Sequence, residues 1–200
     1  MNRRTATKVV NGKVQRKNRS QLTSCSQTVI DRQSAGPGYC HVLSKRDLYA
    51  FIDLIPDWNK LSQRLERIIL ASPDPGDDAS LQFYYRNNTS SIELYAWDED
   101  LWICTNHSYF ESHRTIFDRI GLSYDIGKED VICRFSEAQA RAFMLLHVFM
   151  HELGHHYDHM TQKHRRASRG EDYAERFANN HFASLYPAFV ETFGDPSRGS

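Results

Sequence analysis

The sequence has no long hydrophobic run. No stretch approaches the roughly 18 uncharged apolar residues that a membrane-spanning helix needs. The first thirty residues are basic and lack the apolar segment of a secretory signal. We therefore expect neither a membrane partner nor secretion. With 40% apolar residues among 200 and a mean hydropathy of -0.62, the chain has the composition of one water-soluble domain.

Cysteine is scarce and dispersed. The four cysteines form no Cys-x-x-Cys pair and lie far apart, at Cys25, Cys40, Cys104 and Cys133. This spacing excludes a zinc knuckle and a disulfide scaffold, and it predicts free thiols. From it we expect a reducing compartment and a cytoplasmic location.

Acidic residues are absent from the N-terminal end. Residues 1–19 contain seven Lys and Arg but no Asp or Glu, and residues 20–38 are rich in Ser, Gln and Gly. We predict that residues 1–38 form a disordered basic arm and that residues 39–200 form a single folded domain. Besides this arm, only the basic run at 163–169 would favour nucleic acid. We do not expect nucleic acid as a partner from these two features.

Hydrophobic periodicity predicts a mixture of helices and strands. Helices are predicted for residues 44–54, 61–70 and 112–120, and antiparallel strands for 81–86, 91–97 and 101–105. Residues 131–135 form another brief apolar run. Ser136 and Gln139 have the spacing of a capping box, which begins a long apolar helix that reaches about Met160. A last amphipathic helix, which contains Glu171 and Glu175, is expected to end at Pro187.

The long apolar helix contains the motif His-Glu-Leu-Gly-His at residues 151–155. Two histidines four residues apart share one helix face, so His151 and His155 can bind one tetrahedral Zn²⁺. Glu152 lies about 100° around the helix, where its carboxylate can reach a water on the metal and act as a general base. A set of two histidines and a glutamate also accepts other divalent ions, but zinc is the expected one.

A tetrahedral ion needs a third protein ligand. The glycine and histidine of the metzincin pattern are replaced by Asp158 and Thr161, which excludes that class. Glu171 and Glu175 lie one turn apart on the last helix. One of them can bind zinc while the other accepts a hydrogen bond from the second ring nitrogen of a ligand histidine. Asp158 remains a competing candidate for the third ligand.

The HExxH motif, followed after a basic loop by Glu-x-x-Ala-Glu-x-Phe-Ala at residues 171–178, resembles the gluzincin zinc metallopeptidases, and among them the compact single-domain bacterial type. The resemblance implies that His151, His155 and Glu171 bind the metal and that Glu152 is the general base. It also implies that Glu175 orients a ligand histidine, although Asp is commoner at that place.

The same resemblance implies a fold and a substrate. The expected fold is a compact α+β zincin-like domain with a small antiparallel sheet, a long active-site helix and a packed C-terminal helix. One strand between residues 81 and 105 would hold extended peptide. The expected substrates are a limited set of intracellular proteins, and a regulatory protein is an expected partner.

Several alternatives remain open from the sequence. The site could stabilise a non-catalytic, zinc-containing interaction module. His147 and His159 continue the four-residue spacing of the motif, and we interpret them as packing or surface residues. The side chains that could stabilise an oxyanion are His156, Tyr157, Tyr173 and His181.

Overall fold

The computed structural model describes residues 28–162 and 169–198, together with the backbone of two short upstream strands. These strands, β1 (Val9–Val10) and β2 (Lys13–Val14), pair in antiparallel fashion. Within the predicted basic arm, residues 1–8, 11–12 and 15–27 lie outside the described residues, as do residues 163–168 of the basic run.

The described chain is a mixed α+β fold. Its strands are β3 (Val29–Arg32), β4 (Tyr39–Cys40), β5 (Leu65–Ala71), β6 (Ala79–Tyr84), β7 (Thr89–Tyr95), β8 (Trp97–Asp98), β9 (Trp102–Thr105), β10 (Ser123–Ile126) and β11 (Val131–Arg134). Its α-helices are α1 (Lys45–Ile52), α2 (Trp58–Leu61), α3 (His107–Arg119), α4 (Glu137–Phe143), α5 (Met150–Thr161) and α6 (Glu171–Phe193).

The central sheet has the strand order β3, β5, β7, β6. Strands β3, β5 and β7 are parallel, and only the edge strand β6 is antiparallel to its neighbour. The expectation of a purely antiparallel sheet was therefore wrong. The predicted antiparallel arrangement is present between β6 and β7, but β9 joins a separate antiparallel sheet with β11 and β10. A further antiparallel pair is formed by β4 and β8.

Strand β5 occupies part of the segment for which a second helix was predicted, and that prediction was wrong. Leu65, Ile68 and Ile69 suit a helix by spacing, but β5 lies between β3 and β7 in the sheet. Its residues Leu65, Ile68 and Leu70 are buried. Tertiary packing decides the conformation of so short an apolar run. Because Ile30 of β3 is also buried, the fold begins before the boundary predicted at Tyr39.

The predicted long helix is present as one continuous helical rod from Glu137 to Thr161. Ser136 caps its start through the expected capping box with Gln139. Between α4 and α5 lies a π-helical segment, Met144–Phe149, whose six side chains are all buried. π-Helical turns are rare and often mark functional sites, and the sequence pattern did not predict this one.

Helix α6 packs closely against α5, and Gly154 makes this approach possible. A Cβ atom at Gly154 would lie 3.1 Å from the Cα of Ala174 and 3.1 Å from the Cβ of Phe177. The helix runs past Pro187 to Phe193, so the predicted end at Pro187 was wrong. Leu185 and Phe189 are buried on either side of the proline, and their packing offsets its cost of about 3 kcal/mol.

We expect Gly154→Val to destabilise the domain by about 1–3 kcal/mol, because the new methyl groups would force α5 and α6 apart. The change should also weaken metal binding, since α6 carries both glutamates of the candidate site. Urea unfolding and zinc affinity measure the two effects. Ala138→Val, at a half-buried position of the same helical rod, controls for the helix propensity of Val. Equal losses in the two variants would contradict the close-packing account.

The described cysteines Cys40, Cys104 and Cys133 have free thiols, as predicted, and Cys25 lies outside the described residues. No helix in the described part of the chain is long and apolar enough to cross a membrane.

Candidate metal centre

The histidines of the HExxH motif and Glu171 converge on one point. His151 and His155 lie in the first two turns of α5, and Glu171 is the first residue of α6. The two histidine Nε2 atoms are 3.0 Å apart. Oε2 of Glu171 lies 3.2 Å from Nε2 of His151 and 3.3 Å from Nε2 of His155. The structure thus brings together the three residues that the resemblance implies as ligands.

The size of this triangle suits a zinc ion. Zn²⁺ binds nitrogen and oxygen at about 2.0–2.1 Å, so two ligand atoms on a tetrahedral ion lie about 3.3–3.4 Å apart. The histidine side chains are 19% and 23% exposed, whereas the Glu171 side chain is 82% exposed. The site therefore opens to solvent on the side of Glu171, which leaves room for a further ligand.

Glu175 lies behind the histidines, one turn beyond Glu171. Its Oε2 is 3.4 Å from Nδ1 of His151, the ring nitrogen that faces away from the triangle. Burial alone would raise the pKa of Glu175, but the contact with His151, the nearby His147 and His113, and the hydrogen bond from Asn179 together outweigh burial and lower the pKa to about 2. A charged carboxylate at Nδ1 favours a proton there and leaves Nε2 free to bind a metal.

Glu152 follows the first ligand histidine on α5 and is largely removed from solvent. Burial raises the pKa of its carboxyl group to about 7, and the negative charges of Glu171 and Asp77 add to this, while His151 acts in the opposite direction. Glu152 therefore places a carboxyl group on the same helix as the two histidines, and its oxygens are not among the three atoms that converge.

Asp158, the competing candidate for the third ligand, is engaged elsewhere. Its Oδ2 accepts a hydrogen bond of 2.6 Å from the backbone N–H of Arg169, and its Oδ1 accepts one of 2.6 Å from the guanidinium Nε of the same residue. Gln162 donates a third bond of 3.1 Å. This buried carboxylate ties the end of α5 to the residues before α6 and so helps to place Glu171.

Asp158→Asn should destabilise the chain by about 1–3 kcal/mol at neutral pH, since it removes charge-assisted hydrogen bonds. Burial would raise the pKa of Asp158, but the bonds from Arg169 prevail and lower it. The stabilisation is therefore present above the unfolded pKa of about 3.9 and is lost as the pH falls through the lower folded pKa.

Urea unfolding of the wild type and Asp158→Asn, at pH 7 and at the lowest pH at which both fold, tests this. The difference in free energy of unfolding should shrink in acid. A difference that is the same at both pH values would show that the charge of Asp158 contributes nothing.

The four candidates for oxyanion stabilisation are placed as follows. His156 is fully buried, its Nδ1 lies 2.7 Å from Oγ of Ser90, and burial lowers its pKa to about 4. It belongs to the core rather than to the site. The other three contact nearby side chains: Tyr157 and His181 pack on Phe177, and Tyr173 lies under the guanidinium of Arg169.

The structure also places a second group of possible ligands behind the first. His113 of α3 and His147 of the π-helical segment approach Glu175. The sequence pattern singled out His147 only as a packing or surface residue, and it gave no signal for His113. Nothing in the linear spacing predicts that α3 would pack against this part of the long helix.

Comparison of the chain with family models, curated proteins and solved structures finds no match. Function is therefore inferred from the geometry of the candidate metal centre and from the motif that forms it.

Proposed function

We propose that this protein is a zinc-dependent metallopeptidase with a zincin-type active site. The observation that carries the proposal is the triangle of His151 Nε2, His155 Nε2 and Glu171 Oε2, with sides of 3.0–3.3 Å. The resemblance of the motif to gluzincins supports the same conclusion, as does the presence of Glu152 on the helix that carries both histidines.

In the proposed reaction each residue of the candidate metal centre has a separate role. When bound, zinc polarises a carbonyl group and lowers the pKa of a coordinated water. His151, His155 and Glu171 hold the ion, and Glu175 keeps the ring of His151 in the binding orientation. Glu152 takes a proton from the attacking water and returns it to the amine that leaves when the peptide bond breaks.

The position of β6 supports a peptide as substrate. In the described part of the chain β6 is an edge strand. It lies against the active-site helix, where the ring of Phe83 contacts that of His159 with centroids 3.7 Å apart and the ring planes tilted by 31°. An extended peptide can add to such an edge through backbone hydrogen bonds. We propose that substrate binds along β6, among the strands predicted between residues 81 and 105.

An unbiased peptide library, incubated with zinc-loaded protein and analysed by mass spectrometry, tests the proposed activity. We expect discrete cleavage products that disappear after zinc removal and return when zinc is restored. A chain that binds zinc and loses thermal stability on chelation, but cleaves neither peptides nor proteins of a cell lysate, would instead be a non-catalytic zinc-stabilised module.

A further inference from the structure

Three helices bring a second set of metal-binding groups together next to the proposed zinc site. The set consists of His113 from α3, His147 from the π-helical segment and Glu175 from α6, and one ligand atom from each lies within 4.8 Å of the other two. Two imidazoles and a carboxylate form a donor set that divalent transition-metal ions bind.

The hydrogen bonding of His113 leaves Nε2 as its candidate metal-binding nitrogen. Its Nδ1 lies 2.8 Å from the backbone carbonyl oxygen of Tyr109, which can only accept a hydrogen bond. Nδ1 therefore donates to this oxygen, and it also lies 3.0 Å from Oγ of Ser112, so Nε2 is the ring nitrogen left to bind a metal. Metal-binding histidines commonly donate their second ring N–H to a carbonyl or carboxylate in this way.

His147 is buried and incompletely paired. It is only 2% exposed. Its Nδ1 has no hydrogen-bond partner among the described residues. Its Nε2 lies 3.6 Å from Oε2 of Glu175, which is beyond hydrogen-bond distance. A buried polar side chain with so few partners needs an explanation.

Glu175 supplies the negative charge of the set. The same Oε2 atom lies 3.6 Å from His147 and 3.4 Å from His151, while Oε1 accepts a hydrogen bond of 2.9 Å from Asn179. This carboxylate is therefore shared between the two groups of histidines. A cation between His113 and His147 would balance its charge inside the protein.

We propose that His113, His147 and Glu175 bind a second divalent transition-metal ion. Their ligand atoms, at up to 4.8 Å from one another, are more widely spaced than the about 3.3 Å of a tetrahedral zinc site. Binding of an ion therefore requires these side chains to move closer together, and His113 is half-buried rather than fully enclosed. This site goes beyond the proposed function and shares only Glu175 with it.

Zinc stoichiometry after equilibrium dialysis of the full chain, purified without a histidine tag, tests this site. The variants are His113→Asn, His155→Ala and a control, His181→Asn. The control is well matched, because His181 is also a half-buried helical histidine whose Nδ1 contacts the carbonyl oxygen four residues earlier. Circular dichroism and the thermal unfolding midpoint establish that each variant folds.

We expect two zinc ions per wild-type chain, one in His113→Asn, one in His155→Ala and two in His181→Asn. One zinc in both wild type and His113→Asn would overturn the second site and leave the proposed peptidase site intact. Two zinc ions in His113→Asn would place the second ion elsewhere and would also overturn it. An unchanged count in His155→Ala would count against the peptidase site alone, and no bound zinc in the wild type would contradict both sites.

Discussion

Replacement of Glu152 by Gln should abolish most peptide hydrolysis while zinc remains bound. The amide has the shape of the carboxylate but cannot take a proton from the attacking water. General base catalysis contributes about 10²–10⁴-fold, so kcat/KM should fall by that factor, which corresponds to about 3–5 kcal/mol of transition-state stabilisation. Initial rates on a cleaved peptide and the zinc content of the same sample measure the two properties.

Glu137→Gln is the control for this variant. It removes one carboxylate from the start of the same helical rod, at an exposed position, and should leave the rate unchanged. Undiminished hydrolysis by Glu152→Gln would remove Glu152 from the proton transfer.

Loss of the Glu171 carboxylate should have the second large effect, on metal affinity. Loss of a residue that only orients a ligand typically costs about 10–100-fold in affinity, so removal of a direct ligand in Glu171→Ala should cost at least about 100-fold. Competition with a chromophoric chelator measures the dissociation constant. We expect this large loss because Oε2 of Glu171 is the carboxylate atom that completes the triangle with the Nε2 atoms of His151 and His155.

Two control variants isolate this effect. Asp172→Ala removes the carboxylate of the next residue of α6. Asp172 is exposed, as Glu171 is, and its loss should leave zinc affinity unchanged. Asp158→Asn tests the rival ligand and should change stability much more than zinc affinity, because its carboxylate bonds to Arg169. A larger loss of affinity in Asp158→Asn than in Glu171→Ala would reverse the assignment of the third ligand.

The local features of the site follow directly from the sequence. The HExxH spacing places two histidines on one face whatever the rest of the fold does, and the capping box at Ser136 identifies where the helix begins. The stripe of apolar residues on α6 predicts that it packs on α5. Together these features bring Glu171 to the histidines, although the spacing alone left Asp158 as an alternative.

The central sheet and the second group of possible ligands depend on contacts between distant parts of the chain. Leu65–Ala71 becomes a strand because β3 and β7 lie on either side of it, and β3 comes from a segment whose composition predicts disorder. His113 reaches His147 only because α3 packs against the long helix, with their rings 4.8 Å apart. No local sequence pattern indicates the pairing of β5 with β3 and β7 or the contact of His113 with His147. Periodicity and motif spacing therefore could not predict them.

Anomalous diffraction from crystals of zinc-loaded protein, recorded above and below the zinc edge, tests the central claim most directly. We predict a zinc peak about 2.0–2.2 Å from Nε2 of His151, Nε2 of His155 and an oxygen of Glu171. Zinc-loaded crystals without a peak among these three atoms would contradict the metal centre and the peptidase activity proposed for it.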